Sequence, residues 1–420
     1  MTTAFPQVRS PLHRQPTVTV RRRVRPRPAV DLSRLTRYRG GTYSHTVETI
    51  RFTDGTSART DLIRLNPGVP AYSLDYTGVA PTRPSRYQVE TFSEVPNLRA
   101  RAFEVEVDWI LRNSFPNLRV AELSRRLRAA GSPLGKANIG EHEAIAATQA
   151  AIWHLTNGLQ LDNRPLDVPA RLVRSKGAVT VEFDGERELA SYAVEMVADG
   201  AATVTLHSSV DGQSWREVAA SQLTVEGAGT HRRTLGVGAT VSVIRHGRPS
   251  VGHRFYRLTA TGGAEIADVA FTLNGSGRYR NPERIVRLYN YLLDGARRAR
   301  SRATAPRLTA AHATMSDGLV GPFRLAATDR AALDAGPAEL VDADGVAITG
   351  PVHPGTSFYL RPRRGSTSAT VTMTVPGSVD GYGGRVLAGV ARDESTSRFT
   401  PLALAVPAEL VVDFDVDWSW

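Results

Sequence analysis

A chain of 420 residues, 41% apolar and 22% charged, has room for about two to four domains with ordinary cores, and no stretch approaches the roughly 18 unbroken apolar residues of a membrane helix, so membrane insertion is not expected. Its net charge of +11 rests on arginine, since Lys136 and Lys176 are the only lysines among 52 basic residues. With no cysteine present, disulfides, cysteine-ligated zinc and thiol catalysis are excluded.

The positive charge suits an anionic partner such as a wall polymer, a membrane surface or a nucleic acid. Arginine, alanine, glycine and proline are enriched together, however, as GC-rich coding sequence favours, and the arginines are scattered. Compositional bias therefore carries more weight than a binding role, and nucleic acid is not expected as a partner. The exception is the N-terminus, where Arg21-Arg22-Arg23-Val24-Arg25-Pro26-Arg27-Pro28 stands in a stretch poor in large apolar residues. Residues 1–31 read as a basic disordered or extended arm, able to dock on an acidic neighbour. No apolar run of about 7–15 residues comes after it, so no export signal is read there. The sequence as given also lacks a hydrophobic tail at Trp420.

From Thr42 to Tyr76 the pattern is strand-like: Thr42–Phe52 alternates, Asp54-Gly55 supplies a turn, and Leu62–Leu65 leads to Tyr72-Ser73-Leu74-Asp75. Helices come next. Val107, Ile110 and Leu111 take helical spacing before Pro116, and Glu141–Thr156 forms a long helix closed by Asn157-Gly158. Residues 165–275 change character. Val179–Phe183, Ala202–His207, Val241–Ile244, Phe255–Leu258 and Val269–Leu273 are short β-rich runs between Asp-Gly and Gly-Gly turns, which predicts a β-sandwich. Asn281-Pro282-Glu283 starts a helix whose stripe of Ile285, Leu288, Tyr289 and Leu292 ends at Gly295. An Arg/Ala linker is expected at 296–306. Beyond it Val371–Val375, Arg385–Val390 and Leu410–Phe414 read as strands of one further all-β domain.

Two segments stand out. Ala71-Tyr72-Ser73-Leu74-Asp75 is the first, and Ala147-Thr148-Gln149-Ala150-Ala151-Ile152-Trp153-His154 the second. Ile145, Ile152 and Trp153 lie four before, three after and four after Gln149, so its amide projects from the apolar helix face. Left unpaired there, it would cost about 1–3 kcal/mol, and a backbone hydrogen bond is the ordinary remedy.

Together the two segments resemble the thioester domains of Gram-positive, actinobacterial surface adhesins, whose helix motif is Thr-Gln-x-Ala (TQXA). In that family a Tyr-Cys-apolar-Asp segment faces the Gln helix, and the cysteine sulfur joins the Gln carbonyl in an internal thioester that acylates a host nucleophile. The resemblance makes Ser73 and Gln149 the two halves of the site, with Tyr72, Asp75, Thr148, Trp153 and His154 as neighbours. Asn281-Pro282-Glu283 and its helix match the part of the family's domain that succeeds the Gln helix, and the C-terminal part is similar to the immunoglobulin-like domain of such adhesins. Here the nucleophile position holds serine, which needs an activating base where a thiol supplies thiolate unaided. We expect no Ser73–Gln149 bond, with the Ser73 hydroxyl bonded to the amide. An oxoester is the alternative, and the serine could be natural or engineered.

Between these parts, His207-Ser208-Ser209-Val210-Asp211-Gly212-Gln213-Ser214-Trp215 and Arg254-Phe255-Tyr256-Arg257-Leu258 resemble a discoidin-type, galactose-binding jelly roll. Many such modules bind sugars at loop tips. The Asp-Gly-x-x-Trp element by itself is a structural hairpin, so a spacer role and a carbohydrate site both stand. His142 and His154 lie twelve residues apart on one helix, too far to share an ion, and neither a metal nor a cofactor is expected. Residues 301–420 contain no lysine, which excludes the Lys–Asn/Asp crosslink found in some adhesin stalks.

The expected architecture is multidomain: a basic arm at 1–31, a discontinuous α+β thioester-domain-like fold at 32–163 and 277–300, an inserted β-sandwich (jelly roll) at 164–276, and an all-β immunoglobulin-like sandwich at 301–420. The expected function is non-enzymatic adhesion to a surface glycan or protein, with no catalytic residue. The alternative is a structural, fibre-like component of an intracellularly assembled phage-tail-like complex, such as a contractile injection system, whose basic arm docks on neighbouring subunits. Domain content points to the cell surface, and the absence of a readable signal or sorting segment points to the cytoplasm.

Overall fold

The computed structural model describes residues 17–28, 35–42, 47–66, 68–77, 85–92, 95–96, 98–241, 252–275, 277–375, 386–393, 398–406 and 408–419. The chain forms two compact units, one of Met1–Leu161 with Arg287–Trp420 and the other of Asp162–Val286.

The first unit begins with strands β1 (Val18–Pro28), β2 (Leu35–Thr42), β3 (Thr49–Arg51), β4 (Ser57–Arg59), β5 (Ile63–Asn66), β6 (Val69–Ser73) and β7 (Ser85–Thr91). Helices α1 (Leu98–Arg101), α2 (Glu104–Arg112), α3 (Val120–Ala129) and α4 (Glu141–Asn157) come after them. In the second unit lie β8 (Arg171–Ser175), β9 (Ala178–Arg187), β10 (Leu189–Val197), β11 (Ala202–Ser209), β12 (Arg216–Glu217), β13 (Leu223–Val225), β14 (Gly229–Thr234), β15 (His253–Ala260) and β16 (Glu265–Leu273). Helix α5 (Glu283–Arg302) leads back into the first unit, where β17 (Arg307–Thr309), β18 (Thr314–Ser316), β19 (Leu319–Ala326), β20 (Ala332–Asp334), β21 (Glu339–Val341), β22 (Ser357–Arg361), β23 (Ser368–Val375), β24 (Leu387–Asp393), β25 (Arg398–Leu404) and β26 (Ala408–Trp418) complete the chain.

A closed barrel in the order β2-β5-β6-β25-β24-β7 organises the first unit. Leu35, Leu65, Tyr87, Leu402 and Leu404 fill it. Two of its strands come from residues 387–404, a region expected as part of a C-terminal sandwich. Instead the β24–β25 hairpin leaves that sandwich, pairing β24 with β7 and β25 with β6. The physical reason is closure: without the hairpin, β6 and β7 would each present an unpaired edge.

The sandwich itself has one sheet of β1-β26-β23-β20 and one of β17-β19-β22-β21, with β18 against β19. Phe323 and Phe358 from the second meet Val371, Met373 and Phe414 from the first. Its edge strand β1 is a departure from the expected loose arm. Val18 pairs with Trp418, and the register holds through to Pro28 opposite Ala408. Composition alone suggests disorder here, but Val18 and Val20 pack on the core and Arg23 reaches Asp415, 392 positions away, at 2.6 Å. The remainder of the expected arm, residues 1–16 and 29–31, lies outside the described residues.

Buried Asp108 and Arg112 tie α2 to the start of β26: Arg112 Nε donates to Asp108 Oδ1 (2.8 Å) and Nη2 to the Ala408 carbonyl (2.7 Å). Helix α5 runs through Gly295 to Arg302, where a linker was expected from 296. Gly295 is not a stop signal. A Cβ there would lie 1.8 Å from the Trp109 ring, so the glycine lets α5 lie against α2.

The second unit is a β-sandwich with sheets β14-β10-β16 and β12-β11-β15-β9-β8, β13 pairing with β11. Val181, Phe183, Tyr192, Leu206, Tyr256 and Phe271 anchor its core. Most of the run predicted at Val241–Ile244 lies outside the described residues. A self-contained core predicts separability: a fragment of residues 162–286 is expected to unfold in one cooperative transition, checked by circular dichroism against temperature. A molten product would make these strands dependent on the rest of the chain.

Candidate functional site

Helix α4 is built of strong helix formers, and its two ends are fixed by local chemistry. At the N-terminus the Glu143 carboxylate accepts the Gly140 N–H at 2.7 Å, one half of a capping box, since glycine has no side chain to supply the other. At the C-terminus Gly158 adopts φ of 75° and ends the helix in the left-handed conformation. Every residue from Ala144 to Trp153 is buried, so α4 runs through the interior, packed on α1, α2 and β6. Thr148, fully buried, returns its hydroxyl to the Ala144 carbonyl at 2.7 Å.

Gln149 is 1% exposed and meets the end of β6. Its Oε1 accepts the Ser73 N–H at 2.9 Å, and its Nε2 donates to the Ser73 carbonyl at 2.8 Å. The side-chain amide thus pairs with the Ser73 backbone as a neighbouring strand would. This differs from the expected hydroxyl–amide bond. The Ser73 hydroxyl instead donates to the Asp75 carbonyl (2.8 Å) and accepts the Asp75 N–H (3.3 Å). The reason is local: the chain turns after β6, and a serine at a turn satisfies backbone groups two residues on.

On its other side β6 is held by β25. Leu402 pairs with Ser73, and the Leu74 N–H donates to the Pro401 carbonyl at 3.0 Å. Tyr72, with no exposed surface, donates its hydroxyl to the Phe115 carbonyl at 2.6 Å. Asp75 Oδ1 accepts the Thr77 N–H and hydroxyl, both at 2.9 Å. Asn157, read in the sequence only as a helix stop, accepts the Tyr76 N–H at 3.3 Å and fastens this turn to the end of α4. An Asn beside a helix-ending glycine was the one available signal.

Trp153 and His154 follow Gln149 on α4 and have partners of their own. Trp153 packs edge-on against Tyr76 (5.4 Å) and tilted against Phe52 (6.4 Å). Its buried Nε1 has no hydrogen-bond partner among the described residues. His154 Nδ1 lies 2.9 Å from the Tyr289 hydroxyl, which also accepts the Leu161 N–H at 3.3 Å. Burial, then the charges of Arg297 and Arg99, holds His154 below the usual imidazole range, and burial pushes Tyr289 up to about 12. The hydrogen bond shared by the Tyr289 hydroxyl and His154 Nδ1 ties α5 to α4. His142 sits 3.3 Å from Glu48. Among the described residues no three His, Asp or Glu side chains gather as metal ligands, and no helix is long and apolar enough to cross a membrane.

The Ser73 N–H already bonds the Gln149 carbonyl oxygen, where charge would develop on attack at the amide carbon. The Ser73 hydroxyl has both its described partners on the Asp75 backbone.

In the second unit, Asp211 accepts the Gln213 and Ser214 N–H groups, each at 2.8 Å, and the Ser209 hydroxyl at 3.0 Å. These bonds lower its carboxyl to about 2. Trp215 lies 4.0 Å under the Arg257 guanidinium, and Phe255 packs beside Gly212. These contacts close the turn between Ser209 and Trp215.

No curated protein matches the chain at a significant level. Among solved structures, the Bacillus anthracis TIE protein aligns over 91% of this chain and 48% of its own length at 11% identity, TM-score 0.37. This chain therefore spans about half the length of that protein. A Clostridium perfringens protein, CpGH89CBM32-6, aligns over 25% of this chain and 75% of its own at 12% identity, TM-score 0.19. A pectin-binding carbohydrate-binding module covers 26% of this chain and 73% of its own at 15% identity, TM-score 0.17. None of these superpositions reaches a TM-score of 0.5, so the assignment rests on sequence. Residues 70–192, which carry Ser73 and Gln149, match the family model "Thioester domain", the family that the Ser73 and Gln149 segments resemble.

Proposed function

We propose that this protein is a non-enzymatic adhesion protein that holds a surface glycan or protein without a covalent bond, its thioester site degenerate through serine in place of cysteine. The observation that carries this reading is the two-point pairing of the Gln149 amide with the Ser73 backbone, 2.9 and 2.8 Å. An amide with both its donor and its acceptor used by backbone is a clamp between α4 and β6. A serine whose hydroxyl proton is given to a backbone carbonyl, here that of Asp75, is a poor nucleophile without an activating base. Ligand contact then falls to the unit's surface and to the inserted sandwich, whose sequence resembles sugar-binding jelly rolls.

Intact mass spectrometry tests the clamp. The protein is expected at its full sequence mass, and unchanged after methylamine, while binding to a cell surface or glycan array remains reversible by dilution. Loss of one ammonia from the unaltered chain would reveal a Ser73–Gln149 ester and overturn the non-covalent reading.

A further inference from the structure

One face of the β1-β26-β23-β20 sheet turns Val412, Phe414 and Val416 into the sandwich core. The other face presents charged and hydroxyl side chains in rows set by the register. Asp417 stands there between Thr19 and Ser368, and Asp415 between Arg21 and Thr370. Successive rows lie about 7 Å apart along a strand. This face is hollow. Its groove extends from Arg21 and Arg23 on β1 to the Gly336-Pro337 turn after β20 and holds about 640 Å³. Clefts that take small molecules span about 300–1,000 Å³.

Two equivalent diagonals cross the groove, one closed and one open. Arg23, opposite Asp413, reaches across to Asp415 at 2.6 Å, and Asp415 also accepts the Thr370 hydroxyl at 3.0 Å. Arg21 and Asp417 stand in the same diagonal relation. Yet neither they nor the Thr19 and Ser368 hydroxyls have a side-chain partner among the described residues. An open guanidinium, an open carboxylate and two hydroxyls suit a ligand that donates and accepts at adjacent atoms. Vicinal hydroxyls do both, because a carboxylate accepts two O–H groups and a guanidinium offers two parallel N–H groups. Charge narrows the class. Asp334, Asp415 and Asp417 line the groove against two arginines, which disfavours uronic acids and phosphates. A protein partner fits poorly, since Pro337 and Ala369 are the largest apolar residues lining it and protein interfaces rely on buried aromatic or aliphatic anchors.

We propose that this groove is a binding site for a neutral oligosaccharide, held through vicinal hydroxyls by Arg21 and Asp417. The proposal rests on the reading of the chain as a non-covalent adhesin, and places a glycan site outside the inserted sandwich. No aromatic ring lines the groove, so hydrogen bonds alone hold the sugar and each site binds weakly.

Ligand-observed NMR on the full chain tests it, with trisaccharides of glucose, mannose, galactose and N-acetylglucosamine at millimolar concentration as probes, and a galacturonic acid trisaccharide as the acidic counterpart. At least one neutral probe is expected to bind. Arg21→Gln and Asp417→Asn should each weaken that binding at least about tenfold, the loss of one charge-assisted hydrogen bond. Both should leave the melting temperature unchanged, because neither side chain has a partner to lose. Asp344→Asn, exposed on the turn after β21, should leave binding as it was. Should either groove variant prove unstable, Ser368→Tyr, which fills the groove from an exposed position, is expected to abolish binding. Neutral sugars bound equally by wild type and folded groove variants would overturn the proposal, as would preference for the acidic probe. Silence of every neutral probe, in a chain that still adheres reversibly to cells, would also overturn it and leave the adhesin reading standing. Adhesion that survives denaturation as a covalent adduct would instead overturn the adhesin reading.

Discussion

Replacing Ser73 with Cys is expected to lower the intact mass by one ammonia and to make the protein take up methylamine. The thiolate sulfur would attack the Gln149 amide carbon, the carbon–nitrogen bond would break, and the amine would leave with the thiol proton as ammonia. Two features already in place support this. The Ser73 N–H, 2.9 Å from Gln149 Oε1, sits where negative charge develops, and one such donor is worth about 3 kcal/mol in related acyl transfers. A thiol with an ordinary pKa near 8.5 also supplies a few per cent of thiolate at neutral pH, about what a serine lacks without a base. The expected change is large, from no reaction to near-complete loss of ammonia, and it should vanish when Gln149 is also changed to Ala. A folded Ser73→Cys protein with unchanged mass and no methylamine adduct would sink the idea of a site one residue short of a thioester.

Gly295→Ala is the second strong expectation, and its sign separates two readings of the helix. On a solvent-facing turn, glycine to alanine in a helix gains about 1 kcal/mol from backbone entropy. At Gly295 the added methyl would sit 1.8 Å from Trp109 Cη2 and 2.3 Å from Cζ3, inside the ring. Overpacking of this kind costs about 3 kcal/mol or more, so a marked fall in the melting temperature is expected. Combining it with Trp109→Leu should recover part of the loss, because the two residues compete for one space. A stabilised Gly295→Ala protein would mean that α5 does not lie against α2 as described.

The outcome at Gly295 illustrates where sequence reading stops. Ile285, Leu288, Tyr289 and Leu292 announce the helix, and a glycine after them reads as its end. The residues beyond it are arginines and alanines, good helix formers, and the helix continues to Arg302. What the glycine does is set by Trp109, a residue 186 positions earlier in a different helix. Likewise the spacing of Ile145, Ile152 and Trp153 was enough to place Gln149 inside, and it is 1% exposed. The same spacing said nothing about which atoms would meet its amide. The hydroxyl of Ser73 was the natural candidate, and the backbone took the amide because the Asp75 turn claimed the hydroxyl.

Taken by itself, the sequence determined the elements whose cause is local. It placed the α4 helix with its Asn157-Gly158 stop, the alternating strands of the second unit, the Ser73 and Gln149 segments, and the absence of any cysteine to join them. Tertiary structure decided the partnerships. It turned an Arg- and Pro-rich stretch into an ordered strand, by setting Arg23 against Asp415 and Val18 and Val20 on the sandwich core. It also took β24 and β25 out of the sandwich to close the barrel beside Ser73. Both events answer one physical demand, that a sheet edge be covered by something complementary. Complementarity between residues hundreds of positions apart leaves no trace in local periodicity, because neither strand's pattern states which edge it will meet.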